Sequence, residues 1–164
     1  MAVKQECLYI GIDPGWSGAI AIKRNDNSIT VYKCPASTEE ISNLFKKIIL
    51  PFDSKNIFAV IEEVHGRGYK NGRGEKWSAN NTFRFGENFG TWKSLLSSHS
   101  IKFTTVRPQE WQHWLLGKIA KGTSKQASIE RVYKHHSDLE IGKNHNLADA
   151  INLADLCKDF NFKS

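Results

Sequence analysis

The chain has 164 residues, enough for one domain with a substantial core and too few for two full ones. Hydrophobic residues make up 40%, five Trp and nine Phe among them, which excludes a disordered chain. The net charge is +6, from 23 Lys and Arg against 17 Asp and Glu, and favours a polyanionic partner.

The N-terminal stretch has no signal-peptide core and runs straight into residues 6–12, CLYIGID, which read as a buried strand. Residues 18–23 and 28–33 read as two more strands, joined by the turn Asn25-Asp26-Asn27 into an antiparallel meander. Residues 38–49 place Ile41, Leu44, Phe45, Ile48 and Ile49 at helical spacing behind a Ser37 or Thr38 cap. Residues 57–62, IFAVIE, are a continuous apolar run ending in acid, the pattern of a central parallel strand. Residues 65–76 form a Gly-rich basic loop without packing residues. A helix follows over 80–98, interrupted in composition by Gly86 and Gly90. Residues 102–106 are a fifth strand, 107–117 a short Trp-rich helix, and 122–136 and 144–160 two further helices. Trp92, Trp111 and Trp114 are expected in the core. A meander followed by βα units predicts an α/β fold, a mixed five-stranded sheet with three antiparallel and two parallel strands flanked by helices. That order is similar to the ribonuclease H-like fold, with residues 1–164 as a single domain.

Charge is unevenly placed along this order. Residues 65–93 carry six basic and two acidic side chains, and residues 102–134 carry seven and two. Residues 1–64 sum to −1 and residues 135–164 to −2. The clustering suits a phosphate-binding face. No apolar run approaches the roughly 20 residues of a membrane span. Cys7, Cys34 and Cys157 have no metal-site spacing and read as reduced thiols in a cytoplasmic protein.

Three carboxylates stand out by position. Asp13 ends the first strand, where Pro14 stops the strand and Gly15 allows a tight turn. Glu62 ends the fourth strand, a neighbour of the first in the expected sheet. Asp149 lies on the last helix between Ala148 and Ala150, small residues that permit close approach to the sheet. Carboxylates converging without cysteine suit Mg²⁺ or Mn²⁺. Such a site can perform two-metal phosphodiester hydrolysis.

These residues also carry a family resemblance over nearly the whole chain, to the RuvC-type Holliday junction resolvases and their short phage-like members. Gly11-Ile12-Asp13-Pro14-Gly15 resembles the family's first-strand motif, and Val60-Ile61-Glu62-Glu63-Val64 its fourth-strand motif. Phe85-Gly86 and Phe89-Gly90 with Trp92 resemble the Gly-rich helix after the junction-contacting loop. Val106-Arg107-Pro108 with Trp111, and Lys125-Gln126-Ala127-Ser128, resemble the segments that follow. Asn144 to Ala150 is similar to the last-helix motif. The resemblance implies catalytic and metal-binding roles for Asp13, Glu62 and Asp149. The family's fourth site residue, Asp or His three positions before the closing Asp, is here Asn146, with His145 beside it. His145 is the preferred candidate, as ligand or proton shuttle. The family's apolar wedge position holds His65, which leaves wedging to Tyr69 or another loop residue.

The resemblance further implies a homodimer that nicks a four-way DNA junction symmetrically with two Mg²⁺ or Mn²⁺ ions per site, in a bacterial or phage-infected cell. A two-fold dimer supplies two equivalent sites for two equivalent strands. Arg67, Tyr69, Lys70, Arg73 and Lys76 are the loop's candidate DNA contacts, with Trp77 as a further stacking residue. Lys118, Lys121 and Lys125 are expected beside the site, against the scissile strand. The dimer interface is expected to take some of residues 80–98. Two other classes share the same carboxylates: a nuclease acting on other branched DNA or on RNA–DNA hybrids, and a catalytically impaired junction-binding module. A sugar-kinase-like ATPase shares the opening strand and turn, but 164 residues leave no second lobe for the nucleotide.

Overall fold

The computed structural model describes residues 6–63, 78–160 and 162. Strands β1 (Leu8–Asp13), β2 (Ala19–Arg24) and β3 (Ile29–Lys33) form the antiparallel meander, and β4 (Ile57–Glu62) and β5 (Lys102–Val106) extend it in parallel. The sheet order is β3-β2-β1-β4-β5, so the two strands that end in Asp13 and Glu62 are adjacent. The helices are α1 (Thr38–Ile49), α2 (Ala79–Ser98), α3 (Pro108–Leu116), α4 (Ser124–His135) and α5 (His145–Asp159). A short 3-10 turn over Ser54–Asn56, unread in the sequence, leads into β4.

Side chains alternate between the faces of a strand, and this sorts the core. Leu8, Ile10, Ile12, Ile20, Ile22, Ile57, Ala59 and Ile61 pack with Ile41 and Phe45 of α1 and Trp92 and Leu96 of α2. On the opposite face, Ala19 and Ala21 meet Ile129, Val132, Ala148, Ile151 and Ala154 of α4 and α5. Val60 and Val106 meet Trp111, Leu153 and Cys157 beside them. Asp13 has the parity of Tyr9 and Gly11, and Glu62 that of Phe58 and Val60. Both carboxylates therefore project on the α5 side.

Three local devices fix the helices near the site. Ser37 and Glu40 form a reciprocal cap on α1, each accepting the other's backbone N–H at 3.2 Å. The buried residues of α2, Asn88, Trp92 and Leu96, recur every four positions, and the helix runs unbroken through Gly86 and Gly90. The central helix α5 lies against β1 so closely that a Cβ at Gly11 would land on the Ala150 carbonyl and the Ala154 amide. That contact sets the height of Asp149 above the sheet.

Trp92 and Trp111 are buried as expected. Trp114 is not: it is 54% exposed. Trp111 and Leu115, one turn apart, face the sheet, and the nine-residue α3 has no second apolar face for Trp114. Cys7, Cys34 and Cys157 form no disulfide. Among the described residues no helix is long and apolar enough to cross a membrane.

Candidate active site

The register of β1 and β4 pairs Ile12 with Ile61, so Asp13 and Glu62 follow side by side at the carboxyl ends of neighbouring parallel strands. Asp149, on the second turn of α5, completes the group. A cleft of about 210 Å³ is lined by Asp13, Glu62, Asp149, His145, Asn146 and Lys125, together with Gln112 and Ser124. The sequence therefore brought five named site residues and one lysine to a single place.

The turn after β1 is built tightly. Gly15 has φ +118, a conformation open to glycine, and a Cβ at Gly18 would strike the Asp13 carbonyl. The Gly15 N–H donates to Asn88 Oδ1 at 3.0 Å, and the Gly18 N–H to the Gly15 carbonyl at 3.0 Å. Helix α2 thus holds the turn that presents Asp13.

Each carboxylate is half-buried and lines the cleft. Burial raises the Asp13 pKa well above the ordinary carboxylate range, and the charges of Glu62 and Asp149 raise it further. Burial lifts Glu62 to about 7, against a hydrogen bond from Trp111 and with help from Asp149. Asp149 is pushed up to about 6 by burial, while Ser128 and Lys125 pull it down. The Trp111 indole N–H donates to Glu62 Oε2 at 2.6 Å, and the Ser128 hydroxyl donates to Asp149 Oδ1 at 2.5 Å. Ser128 Oγ in turn accepts from the Asn152 amide at 2.8 Å, and Asn152 Oδ1 accepts from Arg131 at 2.7 Å. This chain of donors orients Asp149 from behind. Burial, and then the Lys125 charge, hold His145 below its usual pKa.

This donor set fits a hard divalent cation. Three carboxylates and an amide oxygen share one cleft, and their mutual repulsion is the deficit a cation would fill. Among the described residues no three His, Cys, Asp or Glu side chains are drawn close enough to ligate one ion as they stand.

Other expectations fare differently. Lys118 and Lys121 are exposed on the connection between α3 and α4 and do not line the cleft; only Lys125, on the first turn of α4, does. His65, Arg67, Tyr69, Lys70, Arg73, Lys76 and Trp77 lie outside the described residues. Sequence reading singled out Trp111 and Ser128 by motif but missed their roles as the donors that hold the carboxylates. It also missed a second groove of about 520 Å³ that shares Asp13, Glu62 and Asn146 with the cleft and runs to Trp16, Asn81, Arg84 and Phe85. The signal for Trp16 was present: a large aromatic directly after Pro14-Gly15, where no strand or helix pattern needs one.

Sheet order and helix placement give the ribonuclease H-like mixed sheet that the sequence predicts. Solved structures that share it include the following two. RuvC of Thermus thermophilus in complex with a Holliday junction substrate is 16% identical, with 90% of each chain covered and a TM-score of 0.60. The fowlpox virus Holliday junction resolvase is 13% identical, with 93% of this chain and 99% of that one covered and a TM-score of 0.57. No protein-family model matches the chain, and no curated protein matches it. At these identities the likeness is one of fold.

Proposed function

We propose that this chain is a structure-selective endonuclease that resolves four-way DNA junctions with divalent cations held by Asp13, Glu62 and Asp149. The observation that carries the reading is the cleft itself. Three half-buried carboxylates, each made costly to charge first by desolvation, meet at the junction of β1, β4 and α5. That is a poor arrangement for stability and a good one for binding cations. The fold it shares with two Holliday junction resolvases supports that substrate class.

Asp13, Glu62 and Asp149 would hold two Mg²⁺ or Mn²⁺ ions, with Asn146 offering a neutral oxygen. Bound there, the ions would activate water and stabilise the leaving 3′-oxygen. The chain's own residues do the rest. Trp111 and Ser128 fix the carboxylate orientations. His145, held below its usual pKa, is neutral at pH 7 and offers a free ring nitrogen for a ligand bond or a proton. Lys125 places a cation beside Asp149, where it can meet a phosphate oxygen. Lys118 and Lys121 are proposed as outer phosphate contacts, and Arg67, Tyr69, Lys70, Arg73 and Lys76 as contacts at the crossover. A homodimer would supply the two sites that paired nicks require.

The test is cleavage with Mg²⁺ or Mn²⁺ of a synthetic four-way junction, compared with duplex, Y-shaped DNA and an RNA–DNA hybrid of the same sequence. Paired symmetric nicks in the junction alone support the proposal. Preferential cutting of the hybrid or the Y-shaped DNA would replace it with the broader nuclease reading. Tight junction binding without any product would make the chain a binding module.

A further inference from the structure

The groove that leaves the carboxylate cleft ends at a feature no catalytic step uses. Trp16 stands three residues after Asp13, is 57% exposed, and lines this groove. Arg84, from the first turns of α2, carries its guanidinium over the indole ring, 4.5 Å from the centroid. Phe85 closes the groove behind them, with its ring 3.2 Å from where a Gly15 Cβ would sit. The backbone under Trp16 is fixed by the Gly15–Asn88 hydrogen bond and the Gly15–Gly18 turn.

We infer that Trp16 and Arg84 form a strand clamp, in which a nucleobase flanking the scissile phosphate stacks on Trp16 and the adjoining phosphate meets Arg84. The inference rests on the nuclease reading above, which puts a DNA strand at Asp13 and Glu62. Three features of the structure support it. An indole offers a flat face that any base can stack on, and this one is held rigidly rather than on a free loop. A guanidinium stacked on an aromatic keeps its N–H edge free for a phosphate. Finally, a groove of about 520 Å³ has the volume of a nucleotide-sized ligand and is continuous with the carboxylates through Asp13, Glu62 and Asn146. Stacking is tolerant of base identity, so the clamp holds the strand in position without dictating a sequence.

The test separates binding from cleavage. Four-way junction binding is titrated at several salt concentrations in an Asp13→Asn background, which keeps the DNA intact. Trp16→Ala is expected to weaken binding about ten-fold while leaving the salt dependence unchanged, because it removes stacking and no charge. Trp16→Phe should restore most of the loss. Arg84→Ala should weaken binding and lower the slope of log K against log salt by about one, the signature of one lost phosphate contact. Both side chains are exposed, so thermal melting should match the parent. If either alanine variant binds with the parent's affinity, the clamp is wrong. A wild-type protein that cuts no substrate, with both alanine variants still showing these losses, would sink the nuclease reading and leave Trp16 and Arg84 as strand-binding residues without a scissile phosphate.

Discussion

Glu62→Gln should make the cation-free protein more stable at alkaline pH. The Glu62 pKa is about 7 in the fold, against an ordinary value of 4.5. A folded-state pKa above the unfolded value means stability that is full below pH 4.5 and lost as pH rises through 7. At 1.36 kcal/mol per unit, ionising Glu62 costs the folded protein about 3 kcal/mol by pH 8.5. Gln keeps the shape, still accepts the Trp111 N–H, and has no such cost. In a chain of this length 1 kcal/mol moves the melting temperature by about 2–4 °C. Melts in chelator from pH 4.5 to 8.5 should therefore coincide for the two proteins at the acid end. At the alkaline end they should separate, with the variant about 10 °C higher. Magnesium should then raise the wild type strongly at pH 8.5, weakly at pH 5, and the variant little at either. Parallel curves across the range would refute the claim that burial and repulsion load this carboxylate.

Trp111→Phe keeps the bulk of α3 but removes the donor to Glu62; the carboxylate pKa should rise by about one unit, shifting the acid limb of the cleavage profile to higher pH by the same amount. An unchanged pH–rate profile would mean that the indole N–H does not tune the site. Asp155→Ala should cost about 3–5 kcal/mol in urea unfolding, since it strands Lys23 and Arg131, whose nitrogens lie 2.7 Å from this buried carboxylate, and His136 at 2.9 Å. Burial alone would raise Asp155, yet those partners hold it below the usual range, so this contribution is present at neutral pH and fades as pH falls through that lowered value. Gly11→Ala should lose 1–3 kcal/mol or about that range by overpacking, or fail to fold, because the added carbon meets backbone of α5; a wild-type melting temperature would contradict the close approach.

Much of this architecture was legible in the sequence. Apolar runs with β-branched residues marked all five strands, and a Ser37 or Thr38 cap with helical apolar spacing marked α1, where the structure uses Ser37. Asp13, Glu62 and Asp149 were legible because each ends or sits on an element whose order in the sheet follows from chain connectivity. The roles of Trp111 and Ser128 were not. They depend on which way one indole N–H and one hydroxyl point after α3 and α4 dock, and no periodicity encodes that. Which of Lys118, Lys121 and Lys125 lines the cleft was not legible for a related reason: clustering in sequence says that cations are near one another, not which of them reaches a cleft. Trp114 shows the limit of composition, because an aromatic-rich helix of nine residues has room to bury only one side.

The central claim is that Asp13 serves chemistry and not shape. Asp13→Asn, assayed separately for binding a four-way junction and for cutting it with Mg²⁺ or Mn²⁺, tests that claim most directly. The account predicts junction binding within a few-fold of wild type and no nicked product. Cleavage at the wild-type rate would contradict it.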